Sequence, residues 1–263
     1  MDYTKGGMNV NTVIKGKNIS DAWKKAIEHL IRNGKDDYNL IVEIENPTSD
    51  DKIVRDKFNQ ILFSMDDQRI ETVANTIFPF EMKNKSENRF EFYNRFQKVY
   101  PILRKVTENN KGTYFGRLVE WNYGKGTTFN QVEHTIFKLE RERNNGRGIR
   151  VMYEMSIYDP CLDKNNQMGF PCMSFISIKI REDFIDLTAI YRNQYFVQKA
   201  YGNYLGLGRL LDFIANESGY QTGKLTCIAT HAALGDIKPK ANYEKMLQIC
   251  RNEEQVEFNL DMN

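Results

Sequence analysis

The sequence predicts an α+β fold: a large mixed β-sheet packed with helices. Three observations carry that reading. Met173–Ile180 and Phe184–Tyr191 read as two strands joined by the turn Arg181-Glu182-Asp183, a hairpin rather than a βαβ unit. Ile149, Val151, Tyr153, Met155 and Ile157 recur at every second position, the period of a half-buried strand. Helical spacing recurs between such segments without strict alternation, which favours α+β over a doubly wound sheet.

The elements follow in order. Ser20 can cap a helix running to Arg32, whose Trp23, Ala26, Ile27, Leu30 and Ile31 share one face and which Asn33-Gly34 stops. Leu40–Ile44 reads as a strand ended by Asn46-Pro47. Residues 52–63 fit either period. Arg69–Ile77 is helical and ends before Pro79. Residues 81–112 are charged and aromatic, with Phe90, Phe92, Tyr93, Phe96 and Tyr100, and are expected to lay helices on the core. Lys111-Gly112-Thr113 is a turn, and 114–119 is too mixed to assign. Thr127 or Thr128 can cap a helix with Phe129, Val132, Ile136 and Leu139 inward, ended by Asn144-Asn145-Gly146. Leu205–Asn216 is the strongest helix, with Gly219 past its end, and Leu225–Thr230 is a last short strand.

The 263 residues are 27% charged and 41% hydrophobic, the composition of an ordinary globular chain. They read as one domain, with a polar tail at 253–263 as the main compositional shift. A net charge of +2 gives no basis for a nucleic-acid surface. No apolar run spans a bilayer and the N-terminus has no signal-peptide core, so a cytoplasmic protein with no membrane partner is expected. Cys161, Cys172, Cys227 and Cys250 form no CxxC pair, and His29, His134 and His231 are scattered, so reduced thiols and no metal are expected.

Cys172 stands out through its surroundings. It follows Pro171 at a strand start; Arg192 closes the next strand, and Asn203 opens a helix eleven residues later. This order resembles the thymidylate synthase superfamily, most clearly over residues 112–235. Tyr114-Phe115-Gly116-Arg117 with Trp121, the arginine pair around Arg147 and Arg150, and Thr230-His231 resemble further family segments. The resemblance implies a pyrimidine nucleotide as partner, a sheet-to-sheet homodimer and 5,10-methylenetetrahydrofolate as cofactor. It implies Cys172 as nucleophile and Glu71, before Thr72-Val73-Ala74, as the catalytic carboxylate. Arg192 and the dimer partner's copy of Arg147 or Arg150 would hold phosphate. Asn203 would read the ring, His231 the sugar, and Phe115 would lie against the substrate. Asparagine rather than aspartate at 203 favours a uracil nucleotide.

The chain departs from the family at Met173 (histidine there), Asn193 (serine), Tyr195 (aspartate) and Ala233 (tyrosine). It has no matching arginine near Glu43–Pro47, and its last residues are polar. Plain structural roles compete at every position. A cysteine is most often a small buried apolar residue, Asn203 could be a helix cap, and Glu71 a surface residue. Two functions follow: a methyl- or hydroxymethyltransferase working through a Cys172 thiolate, or a homologue that binds a nucleotide or a partner without turnover.

Overall fold

The computed structural model describes residues 11–122, 127–146, 149, 151–165 and 170–251. The elements in order are β1 (Val13–Asn18), α1 (Ile19–Arg32), β2 (Asp36–Asn46), α2 (Lys52–Ser64), α3 (Ile70–Ile77), α4 (Phe80–Asn84), α5 (Arg89–Leu103) and α6 (Tyr114–Val119). Then come β3 (Trp121–Asn122), β4 (Thr128–Phe129), α7 (Gln131–Asn145), β5 (Glu154–Ser156), α8 (Pro160–Asp163), β6 (Met173–Arg181), β7 (Phe184–Tyr191), β8 (Gln194–Tyr195), α9 (Tyr201–Ser218), β9 (Gln221–Ala233) and α10 (Lys240–Arg251).

Seven strands form one mixed sheet, ordered β1-β2-β9-β7-β6-β5, with β8 on β9. β1 is parallel to β2, β9 is antiparallel to β2 and parallel to β7, and β7 and β6 form the expected hairpin. The mixed sheet packed with helices is therefore present, in an arrangement compatible with a thymidylate synthase-like fold.

Alternation decides which face is covered. Ile176, Leu187, Ala189, Tyr191, Leu225, Cys227 and Ala229 are buried beneath helices. The α9 helix crosses this face. Added Cβ atoms at its Gly202 and Gly206 would lie 2.6 Å from Val73 and 2.7 Å from the Ala74 carbonyl oxygen, so these glycines let α3 and α9 approach closely. Phe78, Phe92, Phe96, Phe115 and Phe213 fill the space beyond, with ring centroids 4.7–6.0 Å apart. The aromatic helix expected between 81 and 112 is thus α5, lying on the core.

Several local expectations are corrected. Asn18, not Ser20, caps α1: its Oδ1 accepts from the Asp21 amide at 2.9 Å. Ser20 is buried, with its Oγ 2.6 Å from the Tyr201 hydroxyl. Phe129 pairs in β4, and Asn130 caps α7 instead of Thr127 or Thr128. Among the described residues of the alternating run at 149–157, only Glu154–Ser156 lies in the sheet. The short last strand is in fact thirteen residues long and central.

Candidate active site

The hairpin explains how residues far apart in sequence meet. In an antiparallel pair the start of the first strand lies beside the end of the second. Met173 is paired with Tyr191, and the Arg192 amide donates to the Cys172 carbonyl at 3.0 Å. The chain then runs through β8 and a π-helical turn, Phe196–Ala200, into α9. The indole Nε1 of Trp23 anchors that turn by donating to the Phe196 carbonyl at 2.9 Å. Asn203 therefore sits within the first turn of α9 rather than capping it.

Cys172 and Asn203 line one cavity of about 360 Å³, between the ends of β6 and β7, α3, and the loop before α6. Arg192 reaches it from behind: its Nη2 lies 3.8 Å from Cys172 Sγ, and its guanidinium stacks 3.9 Å from the centre of the Phe170 ring. Burial pushes the Cys172 thiol above its usual range, while Arg192 and Lys199 pull it back down. Asn203 is 3% exposed and its carboxamide bonds to no described residue. Neither amide atom of Gln194, which also lines the cavity, has a partner. Buried polar atoms without partners are costly. Together they form an uncompensated donor and acceptor set suited to a planar heterocycle with an amide-like edge.

Three cavity residues were not singled out from sequence. Tyr114 is partly buried, and burial pushes its hydroxyl well above the usual phenol range. Glu108 is the only carboxylate lining the cavity among the described residues. Lys199 donates to Gln68 Oε1 at 2.7 Å, and burial holds its ammonium below the usual lysine range against the pull of Asp67, Cys172 and Glu108. The spacing could have revealed Lys199: it precedes Asn203 by four residues, one helical turn.

Other expected site residues lie elsewhere. Glu71 does not line this cavity. Its carboxylate is 3.5 Å from Arg55 Nε and accepts from Asn59 at 3.1 Å, while α3 turns Val73 and Thr76 to the cavity. Phe115 is fully buried in the aromatic core, stacked 5.1 Å from Phe92; its neighbour Tyr114 takes the cavity position. His231 lies outside the cavity lining, between Asn193 Oδ1 at 2.7 Å and Asp36 Oδ1 at 3.1 Å. Arg147 and Arg150 lie outside the described residues, as does the tail at 253–263. Cys227 and Cys250 are the small buried residues that cysteines usually are, whereas Cys161 is exposed. Among the described residues no helix is long and apolar enough to cross a membrane.

A buried ion pair holds the cavity's outer loop. Arg117 Nη1 and Nη2 donate to Asp163 at 2.5 and 2.9 Å, and the same guanidinium donates to the Ile157 and Lys111 carbonyls. This double fork ties the turn before Tyr114 to α8.

No family model matches the chain. A search of curated proteins returns archaeal relatives named "Putative thymidylate synthase". The protein from Methanosarcina mazei is 26% identical over 238 residues, covering 86% of this chain and 91% of its own length. That from Methanococcoides burtonii is also 26% identical over 238 residues, with the same coverage. The protein from Methanocaldococcus jannaschii is 24% identical over 187 residues, 66% of this chain and 79% of its own. The chain is distantly related to thymidylate synthase-like proteins.

Proposed function

We propose that the chain is a thymidylate synthase-like transferase that activates C5 of a pyrimidine nucleotide, most simply dUMP, through a Cys172 thiolate. The observation that carries this reading is that Cys172 and Asn203 line one cavity and the Arg192 guanidinium lies 3.8 Å from the Cys172 sulfur. C5 of uracil is a poor nucleophile. Addition of the Cys172 thiolate to C6 places negative charge on O4 and C5. C5 can then attack a one-carbon electrophile, lose its proton and expel the thiolate, restoring both the ring and the enzyme. Arg192 supports the thiolate and bonds phosphate, since one guanidinium can serve both. Asn203, with Gln194 beside it, meets the N3–O4 edge of the ring.

Methylenetetrahydrofolate is the one-carbon source the resemblance implies, and the donor set fits it less well than it fits the nucleotide. The cavity positions on α3 are Val73 and Thr76, neither of which can pass a proton as a carboxylate would, and Tyr195 stands in place of an aspartate. The residues therefore support steps on the pyrimidine ring, and no step is assigned to the folate. The lack of a carboxylate on the α3 wall favours the second reading, a nucleotide-binding homologue without turnover.

A second copy of the chain would sit on the open sheet face. Val13, Ile41, Ile228, Ile190 and Phe175 form a cross-strand row over five strands by their register, and all are partly or largely exposed. An apolar row of this kind, partly exposed among the described residues, suits a self-complementary interface. Light scattering should give the mass of a dimer for the native chain and of a monomer for Ile228→Lys.

The deciding assay is tritium release from C5-labelled dUMP, UMP, dCMP and CMP, each with and without methylenetetrahydrofolate. Release from one nucleotide that depends on folate is the expected result and names the substrate. Release without folate means that the thiolate adds and C5 exchanges its proton with water, and that the one-carbon step is absent. No release from folded, dimeric protein would establish the binding homologue instead.

A further inference from the structure

We infer that the chain carries a second ligand site, for a small phosphate-bearing molecule, in a cavity separate from that of Cys172. This cavity, of about 380 Å³, lies between the outer half of α9, α4 and the loop from β2 to α2, and shares no lining residue with the first. It is of small-ligand size. Close packing builds one wall: an added Cβ at Gly208 would come within 1.9 Å of the Pro47 carbonyl oxygen, so the loop rests directly on α9.

The argument rests on which charges are matched. The acids lining the cavity have partners. Asp50 faces Arg55 at 3.4 Å and accepts from the Tyr201 hydroxyl at 3.1 Å. Asp212 accepts from Thr222 and Asn216 at 2.8 and 3.1 Å, and Glu217 pairs with Arg89 at 3.3 Å. Arg209 has no such match. It is partly buried, stacks 4.7 Å from the centre of the Phe80 ring, and has no carboxylate of a described residue within ion-pair distance. Burial and the neighbouring Arg55 disfavour its charge, against the favourable pull of Glu71, Asp50 and Glu81. Arg55 has a buried Nε without a hydrogen bond, and Lys83 lines the same space unpaired among the described residues. Arg55 is shared between Asp50 and Glu71, at 3.4 and 3.5 Å, which leaves the Arg209 guanidinium and the Lys83 ammonium as the cavity's cations without an ion-pair partner among the described residues. A single carboxylate would leave one of these two charges unmatched. A phosphate dianion, accepting from the guanidinium fork, offsets both. Phe80, Leu205 and Phe213 offer an apolar wall for the body of the ligand.

The inference stands independently of the chemistry proposed at Cys172, and its test keeps the two apart. Inorganic phosphate is titrated into Arg192→Ala protein, where the first cavity has lost its own anion contact, and binding is followed by phosphorus NMR line broadening. Saturable binding is expected to persist, to weaken at least about tenfold on adding Arg209→Gln, and by a smaller factor on adding Lys83→Met. Loss of all binding in Arg192→Ala alone would overturn the inference, as would unchanged affinity in the Arg209→Gln double variant. Displacement of phosphate by equimolar acetate would overturn the assignment to phosphate. If circular dichroism shows that Arg209→Gln does not fold, the Lys83→Met variant at the cavity edge carries the test, and unchanged affinity there counts against the site.

Discussion

The strand wall of the Cys172 cavity and its α3 wall are both held by close packing, yet they carry different chemistry. At the ends of β6 and β7 the hairpin register forces a thiol, a guanidinium and a stacked phenyl ring together, linked by the Arg192–Cys172 backbone bond. Across the cavity, α3 lies so close to α9 that Gly202 and Gly206 are required, and it offers only Val73 and Thr76. The thymidylate synthase-like resemblance called for an acid on this wall. The nearest candidate, Glu71, is turned to Arg55 and Asn59. The contrast separates two parts of the proposed reaction: the groups that would add a nucleophile to the ring are together, and no carboxylate that would move protons lines the cavity from the α3 side.

The largest expected effect comes from breaking the strand wall. Cys172→Ser should lower tritium release by at least about a thousandfold, because a hydroxyl is a far weaker nucleophile at neutral pH. Nucleotide affinity, measured by calorimetry, should change little, since Arg192 and Asn203 remain. If the serine variant releases tritium at the native rate, Cys172 is not the nucleophile.

Next in size is the ion pair that ties the turn before Tyr114 to α8. Arg117→Met leaves the 1%-exposed Asp163 carboxylate without its partner. Removing one member of a buried pair costs about 3–5 kcal/mol. Urea unfolding should show a loss of that order, whereas a loss below about 1 kcal/mol would mean that the pair is solvated. Asp163 titrates below the usual carboxylate range because Arg117 bonds it against the opposing effect of burial. The stability it contributes is therefore fully present above the ordinary aspartate pKa and is lost as pH falls through its lowered value. The Arg117→Met variant should lose that acid-limb dependence.

A smaller effect tests the cations on the thiol. Burial raises the Cys172 pKa and Lys199 lowers it. Iodoacetamide should therefore modify Cys172 with a midpoint above that of a free thiol, about 8.5. Lys199→Met should move the midpoint higher still and slow alkylation several-fold at pH 8, while Lys199→Arg should largely restore it. A midpoint unchanged in Lys199→Met would show that the lysine serves only to hold Gln68.

What could be read from sequence follows the same division. The hairpin was legible because β-branched and aromatic residues alternate on both sides of a short polar turn, and the positions of Cys172, Arg192 and Asn203 came with it. The lengths of β2 and β9 were not legible: their outer residues, such as Asp36, Tyr38 and His231, are polar or exposed and signal no strand until neighbouring strands pair with them. Helix rotation was illegible for a related reason. In the short α3, the eight residues Ile70–Ile77 are amphipathic enough to predict a helix, but which side meets the cavity depends on how α9 packs. A shift of two positions exchanges Glu71 for Val73. Phe115 and Tyr114 exchange roles in the same way, one turned into the core and the other to the cavity.

The smallest expected effect gives the sharpest comparison. Glu71→Gln removes a carboxylate outside the cavity and keeps a group able to bond Asn59. If the α3 wall is without a proton-moving acid, this substitution should change tritium release and nucleotide affinity by less than about twofold, within the ±0.5 kcal/mol usual for substitutions away from a site. Its visible consequence belongs to the second cavity. Arg55 loses a negative neighbour, so phosphate affinity there should rise modestly. A hundredfold fall in tritium release would mean that α3 rotates to bring Glu71 inward when nucleotide binds, joining the two walls in one mechanism.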